Sequence, residues 1–189
     1  MSLKFSGAMQ VGFVVKDIRG CMTHWSEKLK VGPWAYREKI DILEYRYYGR
    51  EVGFPNLSIA LANSGDLQLE LIQQNDETPS LYLDTLKRNG EIAQHISYWT
   101  ETEFDAWGAY LKSQGYKEGM AGRFGQGASS RFGGQVRGRF AYFVHEDLPS
   151  CIIEIGEQTG GKAETFENIR RAAKVWDGSD PIRDITQFQ

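Results

Sequence analysis

The polar and apolar positions of the chain fall into two segments with the same rhythm. Residues 9–32 (MQVGFVVKDIRGCMTHWSEKLKVG) and 94–117 (QHISYWTETEFDAWGAYLKSQGYK) each begin with a polar residue, Gln10 or His95. Apolar, β-branched and aromatic positions follow and predict a strand. Each strand gives way to helical spacing, through Ile18, Met22, Trp25 and Leu29 in the first segment and Phe104, Trp107 and Leu111 in the second. Asp17 is placed to cap the first helix and Thr100 with Glu103 forms a capping box for the second, while Gly32 and Gly115 suit the helix exits. Further strands are expected at 34–39, 42–48 and 57–63 in the first half, and at 116–124 and 136–144 in the second.

Two short apolar strands complete the pattern. LQLELIQ (67–73) and SCIIEIGE (150–157) each carry one acid inside the run, Glu70 and Glu154. Gln10 lies 60 positions before Glu70 and His95 lies 59 before Glu154, so the polar pair is itself repeated. A β-α-β-β-β unit cannot bury both its sheet face and its helix alone, so two copies should share one sheet. The expected fold is α+β: two tandem βαβββ modules forming a curled mixed sheet around a metal site, with helices outside. The first module with its connecting helix (78–89) is expected over 8–89, the second over 90–158, and a helical tail over 159–189, marked by Phe166, Ile169, Ala173 and Trp176.

Alternation along the last strands sets Leu67, Leu69 and Leu71 on one face and Glu70 on the other, with Ile153 and Ile155 opposite Glu154. A buried carboxylate is expensive without a cation or a hydrogen-bond cluster. Two carboxylates, an imidazole and an amide oxygen form a mixed N/O set suited to Zn, Ni, Co, Mn or Fe. Gln10, Glu70, His95 and Glu154 are therefore the candidate ligands of a divalent metal.

Composition narrows the possibilities. A chain of 189 residues, 41% hydrophobic and 13% aromatic, can bury a core. Its net charge of -3 comes from interspersed acids and bases, which argues against nucleic acid as a partner. Cys21 and Cys151 have no CxxC neighbour, so no redox pair or zinc knuckle is read. No secretory signal pattern opens the sequence and no apolar run approaches the roughly 18 residues of a spanning helix, so a cytoplasmic protein with no membrane partner is expected.

The starts QVGFVVKDI and QHISYWTET and the ends LQLELIQ and CIIEIGE together resemble the vicinal oxygen chelate superfamily, which includes glyoxalase I, methylmalonyl-CoA epimerase, bleomycin-resistance proteins and extradiol dioxygenases. The resemblance covers residues 8–157 and is closest to glyoxalase-like or epimerase-like members. It carries the metal ligands to Gln10, Glu70, His95 and Glu154. It also implies a metal-dependent isomerase or lyase that abstracts a proton next to a metal-chelated carbonyl of a small-molecule or thioester substrate. Glu154 is the expected base and Glu70 the second candidate, in a homodimer. One alternative is a non-enzymatic, bleomycin-resistance-like binding protein. Another is a ring-cleaving dioxygenase, which resembles a two-His, one-carboxylate site that this chain, with one His at a ligand position, does not match.

Arg123, Arg131, Arg137 and Arg139, in the glycine-rich stretch 119–139, are candidates for holding an anionic part of the substrate; a solvated hairpin is the plainer reading of that stretch. His145, expected to end a strand near the second acidic strand, is a candidate for supporting a ligand from behind. His24, beside Trp25, reads as a surface histidine.

Overall fold

The computed structural model describes residues 5–124, 138–149, 151–159 and 161–189. The strand predicted from Gln10 is β1 (Ala8–Val14), and it leads into α1 (Ile18–His24) and a single π-helical turn over Trp25–Leu29. Asp17 caps α1, accepting from the backbone N–H of Gly20 at 2.9 Å. The helical run thus ends where the spacing placed it, with Lys30 in the left-handed region (φ 57°) closing the turn. Strands β2 (Trp34–Arg37), β3 (Ile42–Tyr47), β4 (Arg50–Glu51), β5 (Leu57–Ser64) and β6 (Leu67–Gln74) follow. The connecting helix α2 (Leu81–Asn89) starts about one turn later than the expected 78–89, where Ser80 caps it, accepting from the N–H of Leu83 at 3.0 Å.

The second segment repeats the order with β7 (Ile92–Thr100), α3 (Phe104–Ser113), β8 (Lys117–Phe124), β9 (Arg139–Val144) and β10 (Ile152–Glu157). Thr100 accepts from the N–H of Glu103 at 2.8 Å, while the Glu103 carboxylate accepts from Thr102 Oγ1 and not from the Thr100 backbone, so only one arm of the capping box forms. Helix α3 ends in paired bonds from Gly115 N to Lys112 O and from Tyr116 N to Leu111 O, with Gly115 at φ 88°. The tail forms α4 (Gly161–Lys174), β11 (Ile182–Asp184) and a 3-10 turn.

All strands join one mixed sheet in the order β11-β2-β5-β6-β1-β7-β10-β9-β8-β3-β4, which curls around a core shared by strands from both ends. The order is mirrored about the antiparallel β1–β7 pair. The expectation that residues 42–48 belong with the first set of strands is corrected in one respect: β3 crosses to the other end and pairs antiparallel with β8. An edge strand with free N–H and C=O groups needs a cover. Strand β3 covers β8, and β11 does the same for β2 by parallel pairing.

Three clusters fill the two faces. On the outer face α1 packs Ile18 and Met22 against Trp34, Ala60 and Leu71, and α3 packs Trp107 and Leu111 against Ala141, Phe143 and Ile155. On the inner face Val14, Ile59, Ile72, Phe140 and Tyr142 meet Leu81 and Tyr82 of α2 and Ile169 of α4. Among the described residues no helix is long and apolar enough to cross a membrane.

Candidate metal centre

The repeated spacing of the sequence becomes a repeated register. In the parallel β1–β6 pair Gln10 faces Gln68 and Gly12 faces Glu70; in the parallel β7–β10 pair His95 faces Ile152 and Ser97 faces Glu154. Across the β1–β7 seam Gly12 faces His95, and Gln10 faces Ser97. These pairings bring Glu70, His95 and Glu154 together on the inner face, with ligand atoms within 4.8 Å of one another. His95 Nε2 lies 3.3 Å from Glu70 Oε2 and 3.4 Å from Glu154 Oε2.

Gly12 makes room for the imidazole. A β-carbon there would stand 1.9 Å from His95 Cε1, so the ring lies directly against the β1 backbone. Tyr142 meets the ring edge-on at 4.9 Å between centroids.

The orientation of His95 follows from the groups behind it. Gln94 Nε2 donates to the carbonyl of Leu81 (2.9 Å) and to Thr85 Oγ1 (3.0 Å), which leaves Gln94 Oε1 as an acceptor facing His95 Nδ1 at 3.0 Å. Nδ1 therefore carries a proton, and in the neutral ring the Nε2 lone pair is directed at the point on which the two carboxylates converge. His95 Nε2 and Glu154 Oε2 are both buried without a hydrogen bond of acceptable geometry. Buried polar atoms without partners are uncommon, and this pair points at one centre. Donor type, convergence and the tautomer set from behind all fit a divalent ion with an N/O ligand set. Gln94→Leu is expected to weaken metal binding about 10–100-fold while leaving the three ligands in place, measurable by competition with a chromogenic chelator.

The electrostatics are those of two buried carboxylates sharing one imidazole. Burial alone would lower the basicity of His95, but Glu154 and Glu70 outweigh it and hold its pKa up, to about 9. Burial and the neighbouring Glu154 charge raise the Glu70 carboxyl, with His95 opposing. For Glu154 burial is outweighed by His95, by Lys162 and by the Ser97 hydroxyl, so Glu154 is the more readily ionised of the two. Tyr82 donates to Tyr142 at 2.9 Å, and burial beside the glutamates keeps both phenols neutral.

Gln10 sits buried on β1, two residues from Gly12 and on the same face. Its Nε2 donates to Gln68 Oε1 at 2.8 Å, and its amide oxygen accepts no hydrogen bond among the described residues. The two described candidate arginines are not gathered here. Arg139 is held on the outer side by Glu157 (2.8 Å) and Asp105 (2.8 Å) and lies over Phe104 of α3. Arg123 pairs with Glu44 at 2.8 Å, and it alternates along β8 with Phe124, which packs on the inner core. Arg131 and Arg137 lie outside the described residues. His145 packs on Tyr116 and accepts from the N–H of Asp147, lining a cavity of about 180 Å³ with Leu81, Thr85, Gln94 and Ile152. The group behind the ligand is thus Gln94, not His145.

Two other features of the site are not read from the sequence. Tyr142 is the register partner of Glu154 on β9, a pairing that alternation along 139–144 could have suggested. Lys162 comes from α4: its side chain is buried, and its ammonium stands 3.3 Å from where a β-carbon on Gly156 would be, two residues beyond Glu154 on the same strand. A lysine after the repeat carries no sequence signal of that placement.

A curled mixed sheet with a His and two Glu converging from the strands that face each other across β1 and β7 defines a vicinal-oxygen-chelate type of protein. Residues 9–133, more than half the chain, match the model of the Glyoxalase/Bleomycin resistance protein/Dioxygenase superfamily, and the chain belongs to that superfamily. Among solved structures it is similar to methylmalonyl-CoA epimerase from Mycobacterium tuberculosis, with 19% identity, 86% of this chain and 96% of that chain covered, and a TM-score of 0.54. It is also similar to a single-residue variant of Streptomyces coelicolor methylmalonyl-CoA epimerase in complex with 2-nitronate-propionyl-CoA, with 15% identity, 83% and 100% covered, and a TM-score of 0.53. These likenesses are of fold. No curated protein matches the chain significantly.

Proposed function

We propose that the protein is a metal-dependent isomerase or lyase that removes a proton from carbon next to a carbonyl of a small-molecule or thioester substrate. The observation that carries this reading is the pair of buried atoms without a hydrogen bond, His95 Nε2 and Glu154 Oε2, converging with Glu70 on one point. Glu70, His95 and Glu154 would hold the ion, with the Gln10 amide oxygen as fourth ligand. Bound there, a divalent metal polarises a carbonyl oxygen and stabilises the negative charge that grows as the proton leaves.

Glu154 is the proposed base. It is the more readily ionised carboxylate and one of its oxygens has no competing hydrogen bond. Glu70 is the second candidate: burial raises its carboxyl, which suits a group that must hold a proton in transit. Tyr82 and Tyr142, neutral and packed beside the cluster, exclude water from it.

The test is exchange in D₂O. Metal-reconstituted protein is incubated with methylmalonyl-CoA and, separately, with the hemithioacetal of methylglyoxal and glutathione, and deuterium at the carbon next to the carbonyl is followed by mass spectrometry. Metal-dependent exchange into one of them is expected, reduced roughly 10²–10⁴-fold in Glu154→Gln. Absence of exchange with both, or exchange undiminished in the variant, overturns the assignment.

A further inference from the structure

Lys162 is a buried cation that the ligand set does not account for. Its residue exposure is 7%, and it makes neither a hydrogen bond nor an ion pair among the described residues. Its ammonium lies 5.1 Å from the ring centre of Phe124 and 5.5 Å from that of Phe166. Burial lowers its pKa, with the charges of Glu154, Glu70 and Glu157 opposing.

Helix stability gives no reason for this placement. Lys162 stands in the first turn of α4, where the helix dipole disfavours a cation. Burial disfavours it again. The helix is anchored by other groups: Ile169 is fully buried in the inner core, and Asn168 donates to the carbonyl of Phe188. The ammonium lies against β10 at Gly156, 3.3 Å from where a β-carbon there would be, and beside Trp99.

A buried cation demands a counter-ion. Among the described residues no carboxylate stands within ion-pair distance of the Lys162 ammonium, so an anionic oxygen brought in by a ligand would meet it unopposed.

We propose that Lys162 is a substrate-positioning residue whose ammonium receives an anionic oxygen of the substrate, so that the site selects carboxylates over neutral carbonyl compounds of the same shape. This rests on the metal-centre reading above and adds the substrate class to it. Among the described residues Nζ has no hydrogen-bond partner, which leaves its donors for that oxygen, and the Phe124 and Phe166 rings hold the ammonium in place without neutralising it.

The test compares two vicinal-oxygen probes by isothermal titration calorimetry on the full-length, zinc-loaded protein: oxalate, a dianion, and N,N′-dimethyloxamide, its neutral counterpart. Metal content is measured for each sample. Lys162→Met is expected to weaken oxalate binding roughly tenfold or more and dimethyloxamide less than about twofold, with Lys162→Arg restoring most of the oxalate affinity. Should Lys162→Met not fold, Lys162→Gln takes its place. Oxalate binding that ignores the substitution, with zinc still bound, overturns the inference alone: Lys162 then merely balances Glu70 and Glu154. Equal weakening of both probes overturns it too, as a structural effect. Failure of the wild type to take up any metal brings down the metal-centre reading together with it.

Discussion

Adding one methyl group at Gly12 is expected to empty the metal centre as completely as removing His95. A β-carbon at Gly12 would lie 1.9 Å from His95 Cε1, 2.4 Å from Nε2 and 2.6 Å from Nδ1, distances at which no ring can remain. The imidazole has nowhere to retreat, because its side chain has 0% exposure and it is bounded by Tyr142 on one side and by Gln94 at Nδ1. Gly12→Ala and His95→Ala should each lower bound metal from about one ion per chain to less than about a tenth. Removing the outer support at Gln94 should by contrast leave the site able to fill, at an affinity lower by roughly 10–100-fold. Gly108→Ala on α3 is the control: there the added methyl meets only Phe143 Cζ at 3.4 Å, and metal should be retained. Inductively coupled plasma mass spectrometry of protein reconstituted with zinc reads the difference. Retention of metal in Gly12→Ala would mean that His95 does not bind the ion in the orientation described.

Why the candidate ligands stand out in the sequence and Gly12 does not is a matter of what repeats. Gln10, Glu70, His95 and Glu154 are fixed by strand registers that occur twice, and a duplicated register leaves duplicated spacing. The same duplication exposes β1, α1, β7 and α3, whose apolar faces and end signals are local. Gly12 answers to His95, 83 positions on in the chain, and nothing local marks it as a clearance. Lys162 and Tyr82 arrive through α4 and α2, elements outside the repeat, so their contacts depend on tertiary packing alone.

The misplaced features share one cause. Residues 42–47 read as a strand and are one, but strand character says nothing about which edge will accept the strand, and the open edge of β8 does so. Arg123 and Arg139 attract attention in the sequence because guanidinium groups bind anions. Their positions along β8 and β9 alternate with inward-facing Phe124 and Phe140, which turns both away from the cluster. Lys162, from a helix beyond the repeat, supplies the inward cation instead.

Divalent metal is expected to bind more tightly with rising pH up to about 9, releasing at least one proton per ion. In the metal-free protein burial works to lower the pKa of His95, but Glu154 and Glu70 overcome it, and the folded-state value is raised from 6.5 to about 9. A pKa raised in the folded state contributes stability that is fully present below the unfolded value. That contribution, of the order of 3 kcal/mol, is lost as pH climbs from about 6.5 through about 9. Metal requires the neutral imidazole, so below about pH 9 the ion must displace the Nε2 proton, and affinity should change roughly tenfold per pH unit. Glu70, whose carboxyl is also raised, adds protons of its own at the acidic end. The two effects oppose one another: alkaline pH removes the internal ion pair from the metal-free protein and at the same time favours the ion that replaces it. Thermal unfolding with and without zinc should therefore show a stabilisation by metal that is small near about pH 6 and grows towards about pH 8. Proton release is read by titrating zinc in buffers of different ionisation enthalpy. Binding that is independent of pH and releases no proton would show that the imidazole is not displaced from its carboxylates, and that zinc binds elsewhere.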